Sequence, residues 1–339
     1  MGKFSAAKEI VLNYFHEMER CQPDQVDDVL NQYMSQDYNW KGVYPFREIN
    51  GTHDVAEKFW KPLKLSLGRM QRRMDIFIAG DNLYAEEEEQ WVLSTGNFMG
   101  LFDFDWLGIR HNRKMNCLRY AEFNCVQQGK ITKTGLFVDI LGFMAQAGEN
   151  PLPPQTGAYF VYPGPRDHNG LLFEDAPAEQ GKKTLELVNK MVLDLREIDD
   201  FHITDDDGFI KNYEKNWSED MIWYGPCGIG ATYTIPRYAE QHQGPFTRCL
   251  ADNTFNGHLC RIAEGDFCGF FGWPNLTNTP VGGFLGMPGG KTPSHMQVVD
   301  VYYQKDGKLS ENWVYIDLLY WLKQQGLDVL ERTKHILNP

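Results

Sequence analysis

The chain has 339 residues, a net charge of −13, 42% hydrophobic and 14% aromatic residues. That length suits two domains with packed cores, and the acidic balance excludes nucleic acid and anionic membranes as expected partners, since both call for a clustered basic surface. No apolar run reaches membrane-span length, the N-terminus lacks a signal-peptide core, and seven scattered cysteines without a Cys-x-x-Cys pair signal neither a disulfide framework nor a zinc site, so the expected location is cytoplasmic.

In chain order, Ile10, Val11, Tyr14, Phe15 and Met18 recur at helical spacing and predict a helix over 4–20. A second helix is expected over 26–34 after Pro23, and a short one over 54–60 that Pro62 ends. Four strands follow at 74–79, 83–93, 115–126 and 131–140, separated in part by Gly-Asp-Asn and Gln-Gln-Gly turns. Helices first and an antiparallel meander after is an α+β layout. Residues 149–180 carry Pro151, Pro153, Pro154, Pro163, Pro165 and Pro177 and read as a linker. Their Tyr159, Phe160, Tyr162, Leu171, Leu172 and Phe173 are too apolar for a solvated coil, so the linker is expected to be ordered.

The programme then restarts. Helices are expected over 184–195 and 208–217, and strands over 258–263, 267–273, 295–304 and 309–316. The restart is a repeat: Gly129-Lys130-Ile131 matches Gly307-Lys308-Leu309, residues 137–141 match 315–319, and Gln146-Ala147-Gly148 matches Gln324-Gln325-Gly326, all at an offset of 178. Trp40 and Pro62 map to Trp223 and Pro245 at 183. The expected domains are therefore 1–148 and 181–339, flanking the linker.

In each copy an acid, Asp139 or Asp317, closes an alternating strand and opens an apolar run. Burying a carboxylate there is costly unless it is paired or functional. A period of two puts Trp313, Tyr315 and Asp317 on one strand face, where the aromatics would desolvate the acid and raise its pKa, as proton abstraction beside a carbonyl requires. The alternative is that Asp317 caps the helix beginning at Leu318. Asp300 and Glu122 align at the same offset, and Asp300 is expected to share a face with Asp317 or to pair with a lysine. His295 and His258 start strands and are candidates to orient a substrate oxygen, or else hydrogen-bonded scaffold. Trp223, Tyr224 and Trp40 are candidates for pocket wall or core. Gly225-Pro-Cys-Gly-Ile-Gly and Gly286-Met-Pro-Gly-Gly-Lys-Thr have the wrong spacing or context for nucleotide loops, and Glu86 to Glu89 read as a solvated face.

Two helices, a short helix and a curved antiparallel sheet, twice over, resemble the nuclear transport factor 2-like cone-shaped α+β barrel. Gly282-Gly-Phe-Leu-Gly-Met-Pro, the segment beginning Val298-Val-Asp-Val-Tyr-Tyr, and Glu311-Asn-Trp-Val-Tyr-Ile-Asp-Leu-Leu look like the SnoaL-like polyketide cyclase (ester cyclase) family, here as two tandem copies. The resemblance implies a deep apolar pocket in each copy and an aspartate as acid/base of an aldol-type ring closure, lyase or isomerase chemistry without metal or cofactor. The acid of its Trp-x-x-x-Asp pattern falls on Asp317, and on Asp139 in the first copy, where Gly135 replaces the tryptophan. The histidine that often precedes the Gly-x-Phe-x-Gly run is absent from Asn275-Leu-Thr-Asn-Thr-Pro-Val. The second copy, keeping Trp313, His295, Asp300 and Asp317, is expected to hold the better-formed pocket. The expected ligand is a small or medium apolar carbonyl compound. Competing readings are a hydrolase or dehydratase using the same acid to activate water, and a non-catalytic binding or dimerisation module. The fusion is expected to form an intramolecular pseudo-dimer, with a homodimer as a further option.

Overall fold

A computed structural model describes residues 2–86, 88–200 and 202–337. The chain divides into two compact units, Met1–Pro151 with Pro163–Asp175 and Leu327–Pro339, and Leu152–Tyr162 with Ala176–Gly326. This differs from the expected division in two places. The 149–180 segment is shared between the units rather than standing apart, and the C-terminal residues from Leu327 group with the first unit.

The first unit opens with α1 (Ser5–Arg20) and α2 (Val26–Tyr33), which bury Val11, Phe15 and Met18, and Val26, Val29 and Leu30. β1 (Met34–Gly42) and β2 (Glu48–Asn50) follow, then α3 (Thr52–Val55), a π-helical turn over Ala56–Trp60 and α4 (Lys61–Ser66). Pro62 does not end the helix as expected. It lies in the first turn of α4, where a missing N–H and a fixed φ are tolerated. β3 (Leu67–Asp81), β4 (Gln90–Phe102), β5 (Met115–Gln127), β6 (Lys130–Val138) and α5 (Ile140–Ala147) complete the series. The strand expected at 83–93 is corrected: β4 starts at Gln90 and continues to Phe102, while Leu83 and Tyr84 stay exposed in the preceding loop.

The second unit repeats this order. It has α6 (Ala178–Asp200), α7 (Asp206–Tyr213), β7 (Trp217–Tyr224), β8 (Ala231–Tyr233), α8 (Ile235–Tyr238), a π-helical turn over Ala239–Gln243 and α9 (Gly244–Cys249). β9 (Leu250–Phe255), β10 (Cys260–Glu264), β11 (Phe267–Pro280), β12 (Ser294–Lys305), β13 (Lys308–Ile316) and α10 (Leu318–Gln324) follow. A last helix, α11 (Val329–Leu337), belongs to the first unit, where Tyr44 donates to Asp328 at 2.7 Å just ahead of it.

Among the described residues the sheets run β2-β1-β6-β5-β4-β3 and β8-β7-β13-β12-β11-β10, with β9 also on β11. Both are mixed rather than wholly antiparallel. β1 lies parallel to β6 and β7 parallel to β13, because the strand after the helical layer enters beside the last strand in the same direction. The β5–β6 and β12–β13 hairpins close through two left-handed residues each, Gln128-Gly129 and Asp306-Gly307, the conformation that matches strand twist in a two-residue turn. Proline-rich chain lies along a sheet margin in each unit. Phe77 of β3 donates to Gly170 and accepts from Leu172, and Ala158 exchanges hydrogen bonds with Ala231 of β8. Backbone donors and acceptors at those margins are thereby satisfied. The fold is α+β in both units, and no described helix is long and apolar enough to cross a membrane.

Candidate functional site

The second unit encloses a cavity of about 220 Å³. Its floor is one face of the sheet. Val298, Asp300 and Tyr302 of β12 line it together with Asn312, Val314 and Ile316 of β13. Asp300 lies opposite Val314 and Val298 opposite Ile316, so even-numbered residues of both strands share the cavity face. This parity corrects the expected face. Trp313 and Tyr315, though buried, pair with Val301 and Val299 on the other side of the sheet, and Trp313 stacks on Tyr224 with centroids 5.4 Å apart. Tyr224 itself donates to Glu311 at 3.2 Å.

Asp317 does not share a face with Asp300 either. Its carboxylate accepts from the Tyr320 N–H at 3.1 Å and caps α10, and Asp139 caps α5 in the same way through Gly142 at 2.9 Å. Asp317 is absent from the cavity lining, as is His295, whose exposed ring meets the Thr277 hydroxyl at 2.9 Å. Of the anticipated residues in this unit, the cavity holds Asp300, His258 and Trp223.

Asp300 is the one carboxylate among the lining residues. Burial raises its pKa from the ordinary 3.8 to about 6, against hydrogen bonding from Asn312 and Tyr302 that favours the ionised form. Asn312 Nδ2 stands 3.3 Å from Oδ1. The expected lysine partner is not found; no ion pair to Asp300 is present among the described residues.

The rest of the wall is largely aromatic, and its hydroxyls are committed. Tyr213 donates to Gln243 Oε1 at 2.7 Å and lies 3.3 Å from the Tyr238 hydroxyl. Gln243 Oε1 only accepts, so Tyr213 donates to it and Tyr238 in turn donates to Tyr213. His258 stacks on Phe270 at 3.8 Å, and Arg261 donates to its Nδ1 at 2.7 Å. Burial first and the Arg261 charge second lower its pKa to about 3, so it is a neutral imidazole.

Sequence reasoning missed His242. It sits in the π-helical turn, is 8% exposed, stacks on Trp223 at 4.0 Å and has its pKa lowered by burial to about 3. Beyond this cavity it also borders a smaller hollow of about 110 Å³. The offset of 183 that aligns Trp40 with Trp223 places His242 on Phe59, a swap of aromatic for imidazole that was legible in the sequence. Tyr213, Tyr238, Tyr302 and Asn312 were missed as well, since nothing local distinguishes them from core residues.

The corresponding space in the first unit is closed. Glu122, fully buried, meets Arg72 Nη1 at 2.7 Å, and the guanidinium lies 3.6 Å over the Phe15 ring and 4.7 Å over Phe98. Tyr120 stands where the second unit has Val298 and stacks on Phe98 at 4.4 Å. A hollow of about 10 Å³ lies beside Arg72, Phe15 and Phe98. Trp40 packs on Phe46 and Phe59 in the core. In both units the tryptophan lies over a glycine two residues on: a Cβ at Gly42 or Gly225 would fall 2.0 or 1.9 Å from the indole.

No protein-family model matches the chain, and no curated protein matches it. Solved structures similar to it include a protein of Jannaschia sp. CCS1 assigned to the SnoaL-like polyketide cyclases, 18% identical, covering 44% of this chain and 94% of its own, with a TM-score of 0.35. An NTF2-like protein of Burkholderia xenovorans LB400 is 14% identical over 42% of this chain and 96% of its own, TM-score 0.32. IdmH of Streptomyces antibioticus, assigned as a polyketide cyclase, is 17% identical over 41% of this chain and 98% of its own, TM-score 0.32.

Proposed function

We propose that the second unit is a cofactor-independent acid/base enzyme of polyketide-cyclase type, acting on a small or medium apolar carbonyl compound, with Asp300 as the proton-transferring group. The observation that carries this reading is a single carboxyl of pKa about 6 in an aromatic cavity. A carboxylate poised near neutrality and poorly hydrated is a competent base for a carbon acid. Asp300 would take the proton α to the carbonyl while the C–H electrons form the enolate. In an aldol-type closure the enolate carbon then attacks a second carbonyl of the same molecule. The proton held by Asp300 passes to the resulting alkoxide, which restores the carboxylate.

The first unit has its acid committed to Arg72, so one reaction site per chain is proposed. Both units are read as cone-shaped barrels in tandem; the shared strand order, the tryptophan–glycine contacts and the paired aspartate caps support that reading.

Exchange of the α-protons of 2-tetralone in D2O, followed by NMR, tests the base without knowledge of the natural substrate. Catalysed exchange is expected to rise with pH through about 6 and to drop roughly 10²- to 10⁴-fold in Asp300→Asn, because a carboxamide cannot take the proton. A folded Asp300→Asn protein that exchanges at the wild-type rate would remove Asp300 from the chemistry. Saturable binding of 2-tetralone with no catalysed exchange would favour a binding module instead.

A further inference from the structure

We infer that His242 is the group that receives the carbonyl oxygen of the ligand, donating a hydrogen bond from a neutral imidazole. The inference rests on the reading of the cavity as a carbonyl site and goes beyond it by naming the oxygen's partner.

Three observations lead there independently. First, His242 is more than nine-tenths buried, yet no hydrogen bond to its ring is found among the described residues, and burial alone accounts for its lowered pKa. Neither ring nitrogen is among the sealed polar atoms that lack a partner, so the imidazole N–H stays within reach of an acceptor in the hollow. Second, the ring lines the same cavity as Asp300. The tyrosine hydroxyls there are engaged: Tyr238 with Tyr213, Tyr213 with Gln243, and Tyr302 with Asp300. Third, the equivalent residue in the first unit is Phe59, which meets Trp40 in a tilted contact at 5.3 Å where His242 stacks on Trp223 at 4.0 Å. An aromatic ring against the tryptophan is kept by phenylalanine; what histidine adds is a donor and an acceptor facing a hollow.

The lowered pKa also fits the role. A cationic imidazole would hydrogen-bond Asp300 or hold a counter-ion, whereas a neutral one keeps its proton through the reaction and strengthens its bond as enolate charge develops on the oxygen. Asp300 moves the proton at carbon and His242 steadies the charge at oxygen.

The test compares 2-tetralone with tetralin, the same bicycle without oxygen, on the full-length protein. Wild type is expected to bind 2-tetralone roughly tenfold more tightly than tetralin, as one neutral hydrogen bond allows. The carbonyl stretch of bound 2-tetralone should shift to lower frequency, and the His242 ¹⁵N signals should move on its addition. In His242→Phe, which copies the residue of the first unit, tetralin affinity should be unchanged while the carbonyl preference and the infrared shift disappear. His242→Gln, which keeps an N–H, should retain part of both. Absence of carbonyl preference in wild type, or its persistence in His242→Phe, would overturn the inference. If Asp300-dependent exchange survives such a result, the acid/base reading stands without His242. If the His242 signatures hold and exchange is absent, the oxygen site stands and the base assignment falls.

Discussion

At the scale of the residue, two aligned acids have opposite fates. Glu122 and Asp300 occupy matching positions on their sheets, each beside the strand that ends in a helix cap. Glu122 meets a guanidinium at contact distance, whereas Asp300 faces a hollow with the Asn312 amide and the Tyr302 hydroxyl as its partners. Leaving a carboxyl desolvated in this way has a stability consequence with a definite sign. The folded pKa of about 6 exceeds the ordinary 3.8, so the folded state holds the proton more tightly than the unfolded chain does. The penalty is absent below pH 3.8, grows as pH rises, and is complete above about 6, at on the order of 3 kcal/mol. Asp300→Asn should therefore raise the melting temperature at pH 8 and leave it nearly unchanged at pH 3.5, with activity lost. Equal effects at both pH values would mean that the carboxyl is not desolvated.

At the scale of the element, the turn from last strand to following helix is the most exact repetition in the chain. Asp139 accepts from Gly142, Asp317 from Tyr320, each three residues on, and each carboxylate meets an N–H that the helix cannot otherwise satisfy. The caps explain why both units keep an acid at this turn. Asp317→Ala should cost about 1 kcal/mol and Asp317→Asn less, because the carboxamide oxygen still accepts. Neither should change tetralone exchange by more than the loss of folded protein accounts for. Denaturant midpoints and exchange rates on the same samples check this, and a rate loss of 10²-fold or more in a folded Asp317→Asn protein would return Asp317 to the mechanism.

At the scale of the whole molecule, neither unit is one continuous piece of chain. The first takes back Pro163–Asp175 and the C-terminal residues from Leu327. Val329 and Leu330 are 2% and 5% exposed, and a Cβ at Gly108 would meet the Lys334 side chain at 2.6 Å. Removal of residues 327–339 should therefore lower the stability of the first unit, read as earlier exchange of β3 to β6 amides, while cavity binding of 2-tetralone persists. A truncated protein with unchanged amide protection in those strands would show α11 to be dispensable.

The sequence by itself determined the division into two halves, the α+β class and the helical layer before each sheet. These depend on local periodicity, turn residues such as Gln128-Gly129, and a repeat offset, all carried by neighbours in the chain. It also showed the alternation of β13, with Trp313 and Tyr315 on one side and Val314 and Ile316 on the other. Which side faces the cavity was decided by tertiary structure, because alternation distinguishes two faces without saying what covers each. Both faces of this strand are apolar enough to be buried, so hydrophobicity could not choose between them. The same holds for β4, whose Ser94-Thr95-Gly96-Asn97 stretch has little strand character alone and is held extended by β3 and β5 on either side. The filling of the first interior came from Arg72 of β3 meeting Tyr120 and Glu122 of β5, on strands far apart in sequence, where the second unit has Val298 and Asp300. Steric filling is a property of the folded neighbourhood, which no local pattern of residues records.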